Sequence, residues 1–317
     1  MYRISKNDLN NCWKTSYDVK SITGKSFVIH FFDSLWCILR YGCYPSQYID
    51  NQFYKMKSYE RDKTYTKGRG YRIAGIFNLS RHICQDKVEF NQYFKKYIHR
   101  DWLYLKDASI DEVNKFINGH DRLIIKPIDA AKGKGVCELN KNDDLSCLQG
   151  KNCLLEEMIV QHKDMCFENN SVNTIRCVSV MDKLGEIHIL KAVLRAGVGS
   201  SIVDNVCAGG VAYPINILYG KIEGSGRRKG EKHESGVFVH PGTDIFMLGR
   251  CIPYWNEVLS LVKDAAKMLP DCRFIGWDIA VTDHGPELIE GNTRTDAHLL
   301  EYIGEKRGFY KEIMSYR

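Results

Sequence analysis

The stretch FIGWDIAVTDHGPELIEGNTRTDAH, residues 274–298, places three oxygen-bearing side chains inside a mainly apolar segment. Asp278 lies in an apolar run typical of a strand, turn-forming residues follow, and ELIEGN is typical of the returning strand of a hairpin. Side chains at positions i and i+2 of a strand share one face. Glu290 and Asn292 are therefore predicted to project together, while Gly291 faces away.

This predicted hairpin has the composition of a metal site. Two oxygen ligands from one strand and the Asp278 carboxylate from its neighbour can meet at one point. Magnesium is a hard cation that binds one or two carboxylates together with substrate phosphates, so Asp278, Glu290 and Asn292 are predicted to form half of a Mg-nucleotide site. The alternative is an ordinary hairpin whose polar side chains hydrogen-bond to one another, because polar groups in an apolar segment are costly when unpaired.

The composition is that of a soluble globular protein. The chain has 317 residues, of which 44% are hydrophobic, so it can bury a large core in two or three subdomains. Lys and Arg number 45 against 39 Asp and Glu, which gives a net charge of +6. This mild positive charge suits an anionic ligand but does not require nucleic acid.

Cysteine usage and hydropathy predict a cytoplasmic protein. The 12 cysteines show neither a Cys-x-x-Cys pair nor the spacing of a zinc site, and several lie in apolar runs, as in a reducing compartment. The first residues, MYRISKNDLN, lack the apolar region of a signal peptide. The longest hydrophobic stretch, residues 27–39, contains His30 and Asp33 and is too short to span a bilayer.

Residues 1–80 are predicted to be mainly helical. SFVIHFFDSLWCILRYG reads as an apolar helix that ends at Gly42, and we expect it to pack the N-terminal region onto the rest. Residues 54–72 mix seven basic residues with four tyrosines. This mixture is compatible with single-stranded nucleic acid, but it is more typical of a solvated helix face above packed tyrosines, so a nucleic-acid partner is not expected.

The remainder alternates helices and strands. KVEFNQYFKKYI has the apolar spacing of a helix, with Lys87 in its first turn, and strands are predicted at RLIIKPI, VCEL and NCLLEEMI. Two further strands are predicted at residues 174–181 and 186–195, and a long loop and hairpin region at 199–236. PYWNEVLSLVKDAAKML is a well-patterned helix that leads into the hairpin described first.

Two features between residues 126 and 135 suit phosphate groups. Lys126 lies in an apolar strand, where an ammonium group needs an anion, although Pro127 makes a solvent-facing edge strand the alternative. The following loop contains Lys132, Gly133, Lys134 and Gly135. Glycines let backbone N–H groups approach an anion, so this loop is predicted to close over phosphates, and an exposed hairpin is the alternative.

Further along the chain, LLEEMIV is predicted to form a hinge that reads adenine. Glu156 and Glu157 would present backbone groups to the base, with Met158 under the ring. Arg176 and Arg195 lie in or at the end of apolar strands. Their guanidinium groups suit a phosphate or a carboxylate, and an internal salt bridge is the alternative.

In this order, the parts resemble the ATP-grasp superfamily from about residue 75 to residue 300. The chain most resembles the sugar-transfer-associated ATP-grasp proteins, which are found with polysaccharide biosynthesis genes. The stretches that carry this resemblance are LWCILRYGCYPSQYI, SVNTIR, HPGTDIFMLGRCIPYWNEV and GWDIAVTDHGPELIEGN.

The resemblance implies an α+β ATP-grasp fold, in which two α+β subdomains clasp ATP, preceded by a mainly helical region. The expected divisions are residues 1–80 for the helical region, 81–185 for the N-terminal subdomain and 186–317 for the C-terminal subdomain.

The resemblance also assigns roles. Lys87 and Lys126 would contact the nucleotide phosphates under the flap that includes Gly133 to Gly135, and the adenine hinge would be Glu156, Glu157 and Met158. Magnesium would be held by Asp278, Glu290 and Asn292, while Arg195 and Arg176 would steady the transferred phosphoryl group or acyl phosphate. The acidic residue that normally binds ribose after the hinge is not visible in VQHKDMCFENN.

The implied activity is that of an ADP-forming ligase. ATP would phosphorylate a small carboxylate, and an amine or sugar acceptor would attack the acyl phosphate, so that a saccharide or its precursor gains an amino acid or similar acyl group. Polysaccharide biosynthesis enzymes are the expected associates. The alternatives are a kinase that phosphorylates a hydroxyl, and a nonenzymatic scaffold that binds a glycosyltransferase or an anionic polymer through residues 54–72.

Overall fold

The N-terminal region is helical, as predicted. A computed structural model describes residues 4–129, 135–139, 149–168, 171–199, 209–228 and 236–317. The first helix begins after Ser5, whose hydroxyl accepts the Asp8 N–H at 3.1 Å, and the second ends at Gly42 with φ of 62°. The helices of this region are α1 (Lys6–Thr23), α2 (Phe27–Tyr41), α3 (Pro45–Asp50), α4 (Ser58–Lys63) and α5 (Lys67–Phe77).

Helix α2 packs differently from the prediction. Its Cys37 and Tyr41 join Tyr48 and Phe53 in a small core within the N-terminal region. The contact with the remainder of the chain is made instead around Tyr65, whose N–H donates to a Glu301 carboxylate oxygen at 2.6 Å. The bulky apolar residues Val28, Phe32 and Trp36 lie on the exposed side of α2, so this side does not join the N-terminal region to the remainder of the chain.

The basic and tyrosine-rich stretch, residues 54–72, is largely used for packing. The Arg61 guanidinium donates to both carboxylate oxygens of Asp33, at 2.7 and 2.8 Å. Arg69 donates to the Thr64 carbonyl at 2.8 Å, and Tyr65 is buried. These contacts favour the packed interpretation over a nucleic-acid surface.

Two antiparallel sheets follow. The smaller sheet, in the order β1-β4-β2-β3, contains β1 (Trp102–Tyr104), β2 (Leu123–Pro127), β3 (Cys137–Leu139) and β4 (Cys153–Glu157). The larger sheet, in the order β10-β9-β5-β6-β7-β8, contains β5 (Thr174–Met181), β6 (Ile187–Ala196), β7 (Val211–Asn216), β8 (Lys221–Ile222), β9 (Phe274–Thr282) and β10 (Gly285–Asn292). The remaining helices are α6 (His82–Gln85), α7 (Lys87–Tyr93), α8 (Ile110–Gly119), α9 (Trp255–Lys267), α10 (Ala297–Glu301) and α11 (Phe309–Ser315).

The larger sheet has two different faces because its side chains alternate. Helix α9 covers one face, where Val258 and Val262 belong to the same core as Cys177 and Leu194. The opposite face packs against α5 and α11 where it carries Val178 and Val180, and it also bears the buried Arg176. A buried charged side chain on a sheet face needs a counter-charge, so this face is a candidate place for a site.

The change from one sheet to the other lies between β4 and β5. The predicted division at residues 185/186 falls in the turn between β5 and β6, which share one sheet. A subdomain division that follows the sheets would therefore precede Thr174, and the division into subdomains stays a prediction. Within the part of the chain that is described, no helix is both long and apolar enough to cross a membrane.

Candidate active site

The hairpin of β9 and β10 presents Asp278 and Glu290 side by side. Glu290 is opposite Asp278 in the register, and the Asn292 side-chain amide donates to a Glu290 carboxylate oxygen at 3.0 Å. A Cβ on Gly291 would lie 3.0 Å from the sulfur of Cys84, so this residue faces α6 and the core. Glu290 and Asn292 thus share the predicted face, and Gly291 faces away from it.

A β-bulge between Leu288 and Glu290 sets this arrangement. Leu288 is opposite Ile279 and is buried in the core under α9, whereas Glu290 is opposite Asp278 on the other face. Without the extra residue, strict alternation would place Leu288 and Glu290 on the same side. The bulge therefore keeps the apolar side chain in the core and turns the carboxylate into the cleft between the sheets.

Two arginines from neighbouring strands bind Asp278. Arg176 is opposite Asp278 in the register and donates through both Nε and Nη2, the latter at 2.8 Å. Arg195 on β6 donates to the same carboxylate at 2.7 Å. Burial alone would raise the pKa of Asp278, but the charges of Arg176 and then Arg195 hold this pKa well below its usual value.

The pKa of Glu290 is shifted in the opposite direction. The residue is exposed, but protein atoms surround its carboxylate. This desolvation, followed by the charge of Asp278 and a hydrogen bond with it, raises the pKa of Glu290. A shared proton or a metal cation would relieve the repulsion that remains between these two carboxylates, and carboxylate oxygens are ligands that magnesium prefers.

Lys87 lies within electrostatic reach of Glu290. It is the first residue of α7, and its ammonium group donates to the carbonyls of Pro127 and Ile128 at 2.6 and 2.8 Å. Burial lowers the pKa of Lys87, and the charge of Glu290 opposes this effect while that of Lys126 adds to it. The structure therefore brings Lys87 into electrostatic reach of Lys126, the other predicted phosphate lysine, and of Glu290 on the acidic hairpin.

The side chain of Glu156 lies in a buried ion-pair network, while the predicted hinge role concerns its backbone and stays a prediction. It is buried and accepts hydrogen bonds from Lys126, from Arg100 at 3.1 Å and from Asn91 at 3.1 Å. Burial would raise its pKa, but Arg100 and Lys126 hold the pKa of Glu156 well below its usual value. Lys126 therefore does not face solvent. Its ammonium group pairs with the Glu156 carboxylate, which is the anion that it needs in this apolar strand.

The other predicted hinge residues lie at the end of β4. A Glu157 carboxylate oxygen accepts the Asp101 N–H at 3.2 Å, and the Met158 N–H donates to the Arg122 carbonyl at 3.0 Å. Met158 is buried. These contacts hold the backbone of the segment in place, and its adenine-binding role stays a prediction.

The predicted flap can be followed only in part. Lys132, Gly133 and Lys134 lie outside the described residues. Gly135 has φ of 72°, and a Cβ there would lie 3.0 Å from the Pro127 side chain. Both observations require glycine at this position, next to the strand that carries Lys126.

Arg100 and Glu287 are two buried residues that the sequence did not single out. Arg100 donates to Glu156 in the smaller sheet, and to Glu287 at 2.6 Å and the Leu288 carbonyl at 2.8 Å in the larger sheet. The acidic Glu287 in an apolar strand could have indicated a buried ion pair, because such a residue needs a counter-charge. Its partner lies 187 positions away, so local patterns could not identify it.

Two antiparallel sheets, with Lys126 on one and an acidic hairpin with arginines on the other, and Lys87 on a helix beside them, are the arrangement of an ATP-grasp protein. The sequence pattern of the sugar-transfer associated ATP-grasp family matches residues 144–312, which is more than half of the chain. The chain therefore belongs to this family. The predicted family and the predicted α+β ATP-grasp fold are confirmed.

Solved structures of ATP-grasp ligases are distantly similar. The ligase PsnB with a precursor variant, Mg and ADP is 12% identical, with 77% of this chain and 60% of that chain covered and a TM-score of 0.45. N5-carboxyaminoimidazole ribonucleotide synthetase from Thermus thermophilus is 9% identical, with 74% and 52% covered and a TM-score of 0.46. D-alanine–D-alanine ligase from Bacillus anthracis is 17% identical, with 68% and 58% covered and a TM-score of 0.39.

The chain spans 52% to 60% of the length of these three solved chains. All three TM-scores are below 0.5, so the family assignment rests on the sequence match. No curated protein sequence matches the chain.

Proposed function

We propose that this protein is an ATP- and Mg-dependent, ADP-forming carboxylate-amine ligase that acts through an acyl phosphate. The acceptor is a saccharide or a saccharide precursor, and the group transferred is an amino acid or a similar acyl group. The observation that carries the proposal is that Lys87 lies within electrostatic reach of both Lys126 and Glu290, and Glu290 is paired with Asp278. Cations that neutralise phosphates and carboxylates that bind a metal are the two halves of a Mg-nucleotide site.

The residues fit magnesium. Asp278 and Glu290 form a carboxylate pair in hydrogen-bond contact, and Asn292 adds an amide oxygen on the same face. A divalent cation would offset the charge of the two carboxylates, and when bound it would neutralise charge on the transferring phosphoryl group. These three residues would hold it.

The basic residues have the complementary task. Lys87 and Lys126 would bind the phosphates, and Lys126 would then exchange part of its contact with Glu156 for the nucleotide. Arg176 and Arg195 are positioned at Asp278 by their strands, so their guanidinium groups border the place where the acyl phosphate would form. Fixed cations in such a position stabilise developing charge without reorganisation.

Magnesium binding is expected to weaken as the pH falls through the pKa of Glu290, because protons and the cation compete for the same carboxylate. Since burial and Asp278 raise this pKa above the ordinary value of 4.5, the loss of affinity should begin at a higher pH than for a free glutamate. Calorimetric titration of Mg with an ATP analogue, between about pH 5 and about pH 8, measures this effect. An affinity that is constant across this range contradicts the role of Glu290.

The reaction class is tested by product analysis. The protein is mixed with ATP, Mg and mixtures of amino acids and amino sugars, and ADP, free phosphate and the products are measured by a coupled assay and mass spectrometry. We expect equal amounts of ADP and phosphate together with a condensed product. A stable phosphate ester without free phosphate would instead identify a kinase, and failure to bind ATP would contradict both activities.

A further inference from the structure

Helix α2 has an unusual distribution of apolar residues. Its Val28, Phe32 and Trp36 are 53%, 64% and 55% exposed, while the polar His30 and Ser34 are buried. A helix on the surface of a globular protein normally turns its apolar side towards the core. The outward stripe of α2 is therefore a surface that fits an apolar environment.

Helix α1 extends this surface. Leu9, Trp13 and Tyr17 recur at four-residue spacing, which places them on one side of the helix, and each is at least 41% exposed. The Phe27 ring joins the two helices, because its centroid lies 4.4 Å from that of Trp13 and 4.6 Å from that of Tyr17. We call the combined surface the aromatic face; it consists of Leu9, Trp13, Tyr17, Val28, Phe32 and Trp36.

The ends of the aromatic face are basic. Helical spacing places exposed Lys6 and Lys20 at the two ends of the α1 stripe and exposed Arg40 at the C-terminal end of the α2 stripe, and exposed Lys25 lies in the connection between the two helices. Arg40 forms a loose ion pair, at 3.9 Å, with Asp62.

The carboxylates of these two helices are engaged in other contacts or lie off the stripes. Asp8 accepts the Ser5 N–H at 2.9 Å in the cap of α1, and Asp33 is bound to Arg61. Asp18 is exposed, but it follows Tyr17 directly and so lies off the α1 stripe. The aromatic face is thus an apolar surface with cations at its edges.

We propose that the aromatic face docks on the surface of a lipid bilayer that contains anionic headgroups. Trp and Tyr side chains favour the level of the headgroups, Val, Leu and Phe enter the acyl boundary, and the flanking lysines meet negative charge. A second copy of this chain fits less well, because two basic rims would face one another. The helices lie on the bilayer and do not cross it, in agreement with the absence of a spanning helix among the described residues.

The test uses the full chain and sedimentation with vesicles of phosphatidylcholine, with or without about 30% phosphatidylglycerol. Binding to the anionic vesicles is expected. The double variant Phe32→Ser/Trp36→Ser should bind these vesicles at least ~10-fold more weakly than the unaltered protein. The double variant Lys20→Glu/Lys25→Glu should also bind anionic vesicles more weakly. Leu184→Ser, at a site 92% exposed in the turn between β5 and β6, is the matched control and should bind like the unaltered protein.

Three results would overturn the proposal. The first two are failure of the unaltered protein to bind anionic vesicles and unchanged binding of the Phe32→Ser/Trp36→Ser variant. The third is that the unaltered protein forms a dimer in analytical ultracentrifugation and binds no vesicles, while the variant is a monomer. Thermal unfolding of each variant separates a loss of binding from a loss of folding. ATP turnover is measured separately, so failure of the docking proposal and failure of the ligase proposal are distinguishable.

Discussion

Replacement of Glu290 by Gln is expected to lower ATP-dependent turnover by about 100- to 1000-fold. Gln keeps the shape of the side chain and can still bond to Asn292, but it lacks the charge that would hold magnesium beside Asp278. The same change removes the repulsion between two adjacent carboxylates, so the free energy of unfolding should stay the same or rise. Steady-state ADP release and thermal unfolding, measured on the same preparation, test both parts.

The matched control is Asp283→Asn, in the turn of the same hairpin. Asp283 is exposed, so neutralising it removes an equal charge within the same local structure without touching the cleft. Turnover of this variant should stay within about twofold of the unaltered protein. If Glu290→Gln retains full turnover, the hairpin does not hold the metal, whatever the control shows.

Replacement of Arg100 by Leu is expected to lower the free energy of unfolding by about 3–5 kcal/mol. Arg100 is buried and pairs with Glu156 at 3.1 Å and with Glu287 at 2.6 Å, so its loss leaves buried carboxylates with less compensation. Lys126 still serves Glu156, whereas the Arg100 contact with Glu287 is lost outright. The effect is large against the roughly 5–15 kcal/mol of a typical domain, and urea unfolding measures it.

An exposed ion pair of similar geometry supplies the control. Arg122 lies 2.7 Å from Glu138, but its side chain is 56% exposed, so Arg122→Leu should cost less than about 1 kcal/mol. The double variant Arg100→Leu/Glu287→Leu should recover part of the stability lost in Arg100→Leu, because it also removes the unpaired charge. If Arg100→Leu and Arg122→Leu lower the free energy of unfolding equally, the buried ion pairs of Arg100 contribute no more to stability than an exposed ion pair.

The sequence predicted those parts of the site that depend on neighbouring residues. A strand, a turn and a returning strand within 25 residues place Asp278, Glu290 and Asn292 together, since alternation along a strand is a local rule. Strict alternation of side chains does not describe the whole of this hairpin, however. The bulge after Leu288 is what separates the core side chain from the cleft side chain, and nothing in PELIEGN marks its position.

Pairings between distant segments were beyond the reach of the sequence. Arg176 and Arg195 were each compatible with a phosphate contact or with an internal salt bridge, and the structure shows that both bind Asp278. The reason is register: Arg176 is opposite Asp278 across a strand pair whose members are 102 residues apart. For Glu156, the sequence suggested a hinge, while the fold gives its side chain a buried place between Lys126 and Arg100.

By itself the sequence determined strands β2 to β6, the end of α2 at Gly42, the acidic hairpin and the family, because these follow from short-range periodicity and from motifs in a fixed order, while β1 and α8 were not predicted. Only the tertiary structure decided which charges meet, that Arg100 ties the two sheets together, and that α2 turns its bulky apolar side outward. Periodicity states that a helix has an apolar side, but whether that side is covered depends on packing between segments distant in the chain. Contacts of that kind are set by the whole fold, so no local pattern contains them.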